Sequence, residues 1–368
     1  MSDSMNREAL LKLMSLVRPA LAAQDYIPAY THIQFAGDYA CTFNDIAAIK
    51  VRIPADLDLG LCVPGEMLIK TLGSFNAENV ALTPGKDASI IVTSGRSKIK
   101  MPTLPGSALP LEIPEGGKHV PVLAVGDDLL AGLQRCLISV GNDPTHPAQQ
   151  GVTLDQEGGK AVLFSTDGTT ISRYQTKTKI KLPADAPVIL PTFFCAQLVT
   201  LRRAYPRTTV ELELHSGALV AYFVTEEEIE EAVLFQKTLV DLEPMDFPKV
   251  IGKYIDVSGI KEVASELPAT FDAAFARALL VLSSEMDKAT RVTAGGSSLN
   301  LLSVSAAGEA SDVVAFENQA PVDPAPFHVD PTLIIRGAKV CSHMVLTSRV
   351  VVMATADAQF IHLIAHSA

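Results

Sequence analysis

The chain has 368 residues, of which 48% are hydrophobic, and carries a formal net charge of −11 at pH 7. This length predicts two or three domains rather than one, and the apolar runs are too short to span a membrane. The polar segment from Met1 to Arg7 lacks the apolar core of a signal peptide. We therefore expect a soluble, cytoplasmic protein without membrane contact.

One pattern occurs three times along the chain: an amphipathic helix, then strands, then a second helix and further strands. The first helix of each unit carries an arginine in register between apolar neighbours, at Arg18, Arg135 and Arg277. The second helix follows a proline each time, which is favourable because the missing N–H would be unpaired there. The predicted second helices are Pro64 to Phe75, Pro191 to Leu201, and Pro331 to Val340.

Strands are predicted between these helices from alternating apolar residues, as in Val210 to Leu214. Boundaries near Gly116-Gly117 and Gly252 then divide the chain into three α/β domains of roughly 120 residues each, an ordinary domain size. Similarity at this period indicates three copies of one domain rather than a short-repeat solenoid. The predicted domains are 1–117, 118–252 and 253–368.

Charge is distributed unevenly between the predicted elements. Six helical windows (5–24, 64–75, 127–141, 190–207, 271–291 and 330–340) hold 13 Lys and Arg against 8 Asp and Glu, whereas the remainder holds 17 against 33. A net negative chain argues against nucleic-acid binding, unless its cations are gathered on one surface that attracts phosphates. Ordinary solvated helix faces are the alternative interpretation of the same counts.

Four segments, in order along nearly the whole chain, carry a resemblance to a known family. They are Ser94 to Lys98 with Met101 to Pro105, Ser165 to Gly168, Phe235 to Asp241 with Asp246 to Pro248, and Phe271 to Ala278. Together they resemble the bacterial DNA polymerase III beta subunit, the beta sliding clamp. The resemblance implies a ring-shaped homodimer of three-domain subunits, with helices lining a central pore and sheets outside. Strands near 87–100 would then meet a third-domain strand of the partner.

The resemblance also implies a function: encircling double-stranded DNA without reading its sequence, and tethering the replicative DNA polymerase to it. A separate ATP-dependent clamp loader would place the ring on DNA. Contacts would be made to the phosphate backbone, which carries no sequence information. The expected DNA-binding residues are Arg7, Lys12, Arg18, Lys70, Arg135, Arg202, Arg203, Arg207, Arg277, Lys288, Arg336 and Lys339.

A pocket for short linear peptides of the polymerase and the loader is implied as well. Carried over by position, its walls would be Thr166, Gly168, Thr169, Thr170, Ile171, Pro248, Ile361, Leu363 and His366. Apolar members of this set suit aliphatic and aromatic anchors. The alternative is that these residues form core between domains.

The sequence departs from the family at this pocket. The family's Gly-His-Arg-Leu is Gly168 to Ile171 here, its C-terminal Met-Pro-Met-Arg-Leu is Leu363 to Ala368, and an apolar family position aligns with Gln149. These differences put the identity of the peptide partners in question, and they fit a divergent clamp such as one encoded by a phage or plasmid.

Catalytic and metal chemistry find little support in the sequence. Gly158-Gly159-Lys160-Ala161 lacks both the first glycine and the hydroxyl residue of a phosphate-binding loop, and the metalloprotease and serine-hydrolase motifs are absent. The five cysteines are expected to be buried thiols, His362 and His366 lie in a strand-like segment, and Asp167 is expected to be a turn residue. We therefore predict no cofactor, no metal and no catalytic residue.

Two other classes of function remain open. One is an interaction scaffold that has the clamp fold without encircling DNA. The other is an enzyme with a cleft between α/β domains, because residues that assemble only in space escape single-sequence analysis.

Overall fold

A computed structural model of the chain describes residues 5–24, 26–117, 120–180, 182, 187–238, 242–282, 288–317 and 325–367. Within these residues, the six predicted helical windows all contain a helix. The helices are α1 (Arg7–Val17), α2 (Gly65–Ser74), α3 (Asp127–Cys136), α4 (Thr192–Ala204), α5 (Phe247–Ile251), α6 (Ile260–Val263), α7 (Phe271–Leu282) and α8 (Pro331–Ala338). None of the described helices is long and apolar enough to cross a membrane.

Helix α1 illustrates how local sequence sets these elements. The Asn6 side chain accepts a hydrogen bond from a backbone N–H of the first turn at 3.0 Å, which satisfies a donor that the helix itself leaves unpaired. Leu10, Met14 and Val17 recur at helical spacing and are buried. Pro19 ends the α-helix in a short 3-10 turn, because proline cannot continue the hydrogen-bond ladder.

The strands are short and pair antiparallel throughout the described residues. They are β1 (Met5–Asn6), β2 (His32–Ala36), β3 (Tyr39–Phe43), β4 (Ala47–Arg52), β5 (Leu61–Pro64), β6 (Asn79–Pro84), β7 (Ser89–Ser94), β8 (Ser97–Pro102), β9 (Leu104–Pro105), β10 (Val122–Ala124), β11 (Gly151–Glu157), β12 (Lys160–Thr166), β13 (Thr170–Lys179), β14 (Val188–Pro191), β15 (Thr209–His215), β16 (Ala218–Val224), β17 (Glu230–Lys237), β18 (Ser265–Glu266), β19 (Thr290–Gly295), β20 (Ser298–Ser305), β21 (Gly308–Ala315), β22 (Phe327–Val329), β23 (His343–Leu346), β24 (Val350–Ala354) and β25 (Phe360–Ala365).

The first of two compact units comprises Met1–Gly126 and Ala196–Val240. It holds a four-stranded sheet in the order β1-β6-β7-β8 and a nine-stranded sheet in the order β10-β15-β16-β17-β4-β3-β2-β5-β9. An apolar cluster on the larger sheet contains Tyr30, Phe43 and Phe235. The Tyr30 and Phe43 rings meet edge to face with centroids 5.4 Å apart, a favourable aromatic geometry.

The second unit comprises Asp127–Cys195 and Asp241–Ala368. Its larger sheet has the order β14-β11-β12-β13-β25-β24-β23-β18, and its smaller sheet the order β21-β20-β19-β22. The Phe164 and Phe247 rings stack in its core with centroids 5.0 Å apart and planes 3° apart. Gly132 lets α3 approach the sheet closely, because a Cβ there would lie 2.4 Å from the Tyr174 ring.

Both larger sheets take strands from either side of a predicted domain boundary. In the first unit β17 pairs with β4, with Phe235 opposite Ala48. In the second unit β13 pairs with β25, with Ile171 opposite Leu363. Each of the two compact units therefore contains part of the second predicted domain. The division into three domains at residues 117 and 252 stays a prediction.

All five cysteines are free and buried, as the sequence predicts. Burial raises the pKa of Cys62 to about 11 and that of Cys41, Cys195 and Cys341 to about 12. Desolvation is the largest cause each time, because a thiolate loses its hydration in an apolar interior. These thiols act as small core side chains.

Candidate basic helix surface and peptide cleft

Five of the twelve predicted DNA-binding residues are exposed lysines and arginines on or next to a helix. They are Lys12, Lys70, Arg203, Arg207 and Lys339. The helices that carry them also have a buried, apolar face. On α2, for example, Leu68 and Leu72 are buried, whereas Lys70 is exposed. An exposed cation on such a face can reach a phosphate without distorting the helix. Lys288 is half-buried and directly follows residues 283–287, which lie outside the described residues.

Two further predicted residues, Arg18 and Arg277, are exposed but already paired. Arg18 Nε and Nη2 donate to the two carboxylate oxygens of Glu66 at 2.7 and 3.0 Å. Arg277 Nε and Nη2 donate likewise to Asp312 at 2.5 and 2.8 Å. Each pair is a two-point contact between planar groups, the strongest geometry for this type of interaction.

Arg135 occupies the same register position as these two arginines but has a different neighbour. Its guanidinium carbon lies 5.5 Å from the centre of the Tyr174 ring, within the range of a cation–π contact. The Tyr174 hydroxyl donates to Asp128 at 2.6 Å. Burial and this carboxylate raise the pKa of Tyr174, so the ring remains neutral beneath the cation.

The remaining three predicted residues bind the protein's own backbone. Arg7 donates to the carbonyls of Leu72 and Ala77, each at 3.2 Å. Arg202 donates to the carbonyl of Tyr205 at 3.2 Å. Arg336 donates to the carbonyl of Ile138 at 2.8 Å. These guanidiniums hold neighbouring segments of the chain in place.

The tight turn between β12 and β13 is built around Asp167. Its Oδ1 accepts hydrogen bonds from the backbone N–H of Thr169 at 3.0 Å and of Thr170 at 2.6 Å. Gly168 has a φ of 85°, a conformation that glycine adopts without strain. Asp167 therefore acts as the predicted turn residue.

The structure divides the nine predicted pocket residues between surface and core. Gly168, Thr169 and Pro248 are exposed, and Ile171 and His366 are partly buried. His366 is fixed by a hydrogen bond between its Nε2 and the carbonyl of Thr347 at 2.9 Å. The fully buried members are Thr166, Thr170, Ile361 and Leu363.

A cleft of about 400 Å³ opens next to part of this set. Pro248 is the one predicted residue that lines it; the other lining residues are Glu157, Phe164, Arg173, Ile251, Gly252, Ile255, Asp256 and Val257. Ile171, Ile361 and Leu363 belong to the apolar cluster that also contains Phe164 and Ile251. The rest of this lining was not predicted from the sequence, although Ile251 and Ile255, four residues apart, are a recognisable apolar pair.

An ion pair forms one wall of the cleft. Arg173 Nη2 donates to Glu157 Oε2 at 2.7 Å, and the two side chains are 9% and 34% exposed. With Asp256 also in the lining, the cleft combines apolar walls with a charged rim. This combination suits an amphipathic peptide better than a purely apolar ligand.

A buried polar cluster lies behind the Asp167 turn. Ser139 and Ser172 share a hydrogen bond of 2.7 Å, and His362 Nδ1 lies 3.2 and 3.1 Å from their hydroxyls. Thr170 Oγ1 links Ser139 to the turn at 3.0 Å. Burial, with a smaller contribution from Arg336, lowers the pKa of His362 to about 3, so this histidine is neutral at physiological pH.

Two comparisons with known proteins found no match: no protein-family model and no curated protein is similar in sequence. Solved structures do match, and they define the class of the fold: the chain has the fold of DNA polymerase III beta sliding clamps.

Three of these structures show the extent of the likeness. The DNA polymerase sliding clamp of Pseudomonas aeruginosa with ligand has a TM-score of 0.79 and 18% identity, over 100% of both chains. The beta subunit of Thermotoga maritima has a TM-score of 0.78 and 15% identity, over 99% of this chain and 98% of that one. The beta subunit of Streptococcus pyogenes has a TM-score of 0.77 and 16% identity, with the same coverage.

We predict that His362 makes folding stability depend on pH. Because its folded pKa lies below the unfolded value of about 6.5, its contribution is complete above pH 6.5 and is lost as pH falls toward 3. The free energy of unfolding should fall by about 1.4 kcal/mol per pH unit in this window on account of this group alone. His362→Asn should remove that slope, measured by urea unfolding at pH 7, 6 and 5.

His328→Gln is the matched control, since His328 is exposed on β22 and should leave the slope unchanged. An equal pH slope in the wild type and in His362→Asn would show that His362 does not titrate as described.

Proposed function

We propose that this chain is a DNA sliding clamp, a non-catalytic homodimeric ring that encircles duplex DNA and tethers a DNA polymerase. A separate ATP-dependent loader would place it on DNA in the cytoplasm. The observation that carries the proposal is the likeness to a sliding clamp over 100% of both chains, with a TM-score of 0.79. Because the likeness covers 100% of this chain, it supports a clamp function for the chain as a whole rather than for one shared module.

Exposed cations on the helices support the proposed DNA contact. Lys12, Lys70, Arg203 and Arg207 are exposed in the first unit, and Lys339 is exposed in the second. Cations of this kind bind phosphates without reading bases, which a sliding ring requires. The excess of carboxylates on strands and loops would keep DNA away from the outer surface by like-charge repulsion.

The central test is retention on circular DNA. After incubation with a loader and ATP, the wild-type protein should stay on a nicked circular plasmid and leave when the plasmid is linearised. One variant combines Lys12→Glu, Lys70→Glu and Arg203→Glu, which reverses three exposed cations. It should load less and be retained for a shorter time, because each lost phosphate contact lowers the affinity for DNA. Each lost contact should also reduce the slope of log affinity against log salt concentration by about 0.9.

A matched control reverses three exposed cations outside the long helices: Lys86→Glu, Lys261→Glu, Arg349→Glu. It changes the net charge equally and should be retained like the wild type. With loading verified for another clamp on the same plasmid, equal or absent retention on circles and linear DNA would support the scaffold function instead. Equal retention of both triple variants would refute the assigned DNA face.

Edge strands support closure of a ring from two copies. In the described residues β8 ends one four-stranded sheet and β21 ends the other, so each offers unpaired backbone groups to another chain. Val313 on β21 is 63% exposed, and Leu280 on α7, a helix that packs against β21, is 74% exposed. Exposed apolar side chains beside an open edge are typical of a surface that a partner covers.

We expect Leu280→Asp to dissociate the dimer, because it would place a carboxylate in an apolar contact. Sedimentation velocity at micromolar concentration should give twice the 39.2 kDa chain mass for the wild type and the single-chain mass for the variant. Val263→Asp, at a residue 61% exposed on α6, should remain dimeric. A monomeric wild type, or a dimeric Leu280→Asp, would contradict this closure.

The cleft beside Pro248 supports a peptide-binding role. Phe164, Ile251, Ile255 and Val257 give it apolar walls, and apolar pockets of this size bind the anchor side chains of short peptides. We propose that polymerase and loader peptides enter here. Most of the lining residues were not predicted from the sequence. The four apolar lining residues named here, rather than the predicted set, indicate that the bound peptide has apolar anchor side chains.

Ile255→Glu should weaken binding of a fluorescent peptide bearing neighbouring leucine and phenylalanine anchors by at least about tenfold, since a charge would be desolvated on binding. Fluorescence anisotropy measures this affinity. Ile229→Glu, at a residue 38% exposed in the other unit, is the control and should bind normally. Unchanged binding by Ile255→Glu would place the peptide elsewhere.

A further inference from the structure

The Arg18–Glu66 pair joins two helices at the proposed DNA face. Arg18 follows the last turn of α1, and Glu66 lies in the first turn of α2. The side chains are 54% and 46% exposed, so both remain open to solvent and to a third charged group. Exposed pairs of this kind exchange partners readily, because water already screens their attraction.

Lys70 completes a small charged cluster. It lies one helical turn after Glu66 on α2, and both residues therefore share one face. The hydrogen bond from Arg18, together with the positive charges of Arg18 and Lys70, holds the pKa of Glu66 below its ordinary value. Glu66 is thus ionised at neutral pH, and the cluster contains two cations and one carboxylate.

The pair also faces open space. A depression of about 600 Å³ is bordered by Ser15, Pro19, Ala22 and the two paired side chains. The other residues that border the depression are small or apolar, so among its lining residues Glu66 supplies the carboxylate that binds Arg18. A phosphate that approached Arg18 from the depression would have to replace the Glu66 carboxylate.

The same device occurs at the register-equivalent Arg277, which Asp312 binds at two points. Glu66 and Asp312 come from different types of element, a helix and a strand. The same arginine–carboxylate contact thus forms with a carboxylate from a helix and with one from a strand. Its occurrence therefore does not depend on one local backbone conformation.

We propose that Glu66 competes with backbone phosphate for Arg18, and so lowers the affinity of this face for duplex DNA. The proposal rests on the DNA-facing role given to these helices above. A free arginine would gain a full phosphate contact on binding, whereas Arg18 exchanges one anion for another. The result is a contact that breaks easily, which suits a ring that must move along the duplex.

The test is the affinity of the full-length protein for a fluorescent 30-base-pair duplex, measured by anisotropy from 50 to 200 mM salt. Glu66→Gln should bind more tightly than the wild type, with a salt slope steeper by about 0.9 for each Arg18 that reaches DNA. Between these two salt concentrations the added contact corresponds to an extra change in affinity of about threefold.

Two controls separate this competition from a general change in charge. Glu230→Gln removes the same charge from a pair with Lys50 at 2.9 Å on strands β17 and β4, and should behave like the wild type. In an Arg18→Gln background, Glu66→Gln should have no further effect, because its action requires the Arg18 guanidinium.

The outcomes distinguish this inference from the proposed function. If the wild type binds DNA with a salt dependence but Glu66→Gln matches it, the competition is refuted and the DNA face stands. Equal gains in Glu66→Gln and Glu230→Gln, or a gain that persists without Arg18, would refute it as well. If none of the variants binds duplex DNA at 50 mM salt, both the competition and the DNA face are overturned.

Discussion

The pairing of β25 with β13 determines which side chains form the core, the buried polar cluster and the cleft wall of the second unit. This ladder sets Ile171 opposite Leu363 and Arg173 opposite Ile361, so residues almost two hundred positions apart share one sheet. A slip of one residue would turn every side chain to the other face. The present register directs Ile361 into the core and His362 toward the buried serines, and it places Arg173 in the wall of the cleft.

Much of the fold was predictable from the sequence because its signals are local. Proline before the second helices, the arginine in register and the Asp167 turn each depend on a few neighbouring residues. The partners of the arginines were not predictable in this way. Glu66 lies 48 residues from Arg18, and Asp312 lies 35 residues from Arg277, so only folding brings them together. The cleft escaped for the same reason, since β11, β12, β13 and α5 all contribute to it.

A negative net charge does not by itself exclude that a chain binds nucleic acid. The overall charge of −11 in this chain coexists with exposed cations on the helices, and a phosphate backbone responds to the local field rather than to the total. The ion pairs that Arg18 forms with Glu66 and Arg277 with Asp312 also matter for the local charge. A count of basic residues on a helix overstates the charge available to DNA when carboxylates from other elements already occupy them.

The buried cysteines have a practical consequence for testing whether two copies of this chain form the proposed ring. Because desolvation keeps these five thiols protonated and core packing covers them, maleimide dyes should find little native thiolate to attack. A single cysteine introduced on each side of a subunit contact could then be labelled in the otherwise native chain, with no core thiol replaced. If the chain forms the proposed ring, energy transfer between the two dyes would report its opening and closing in real time. Because the native thiols are buried, they would add no unwanted dye to this measurement.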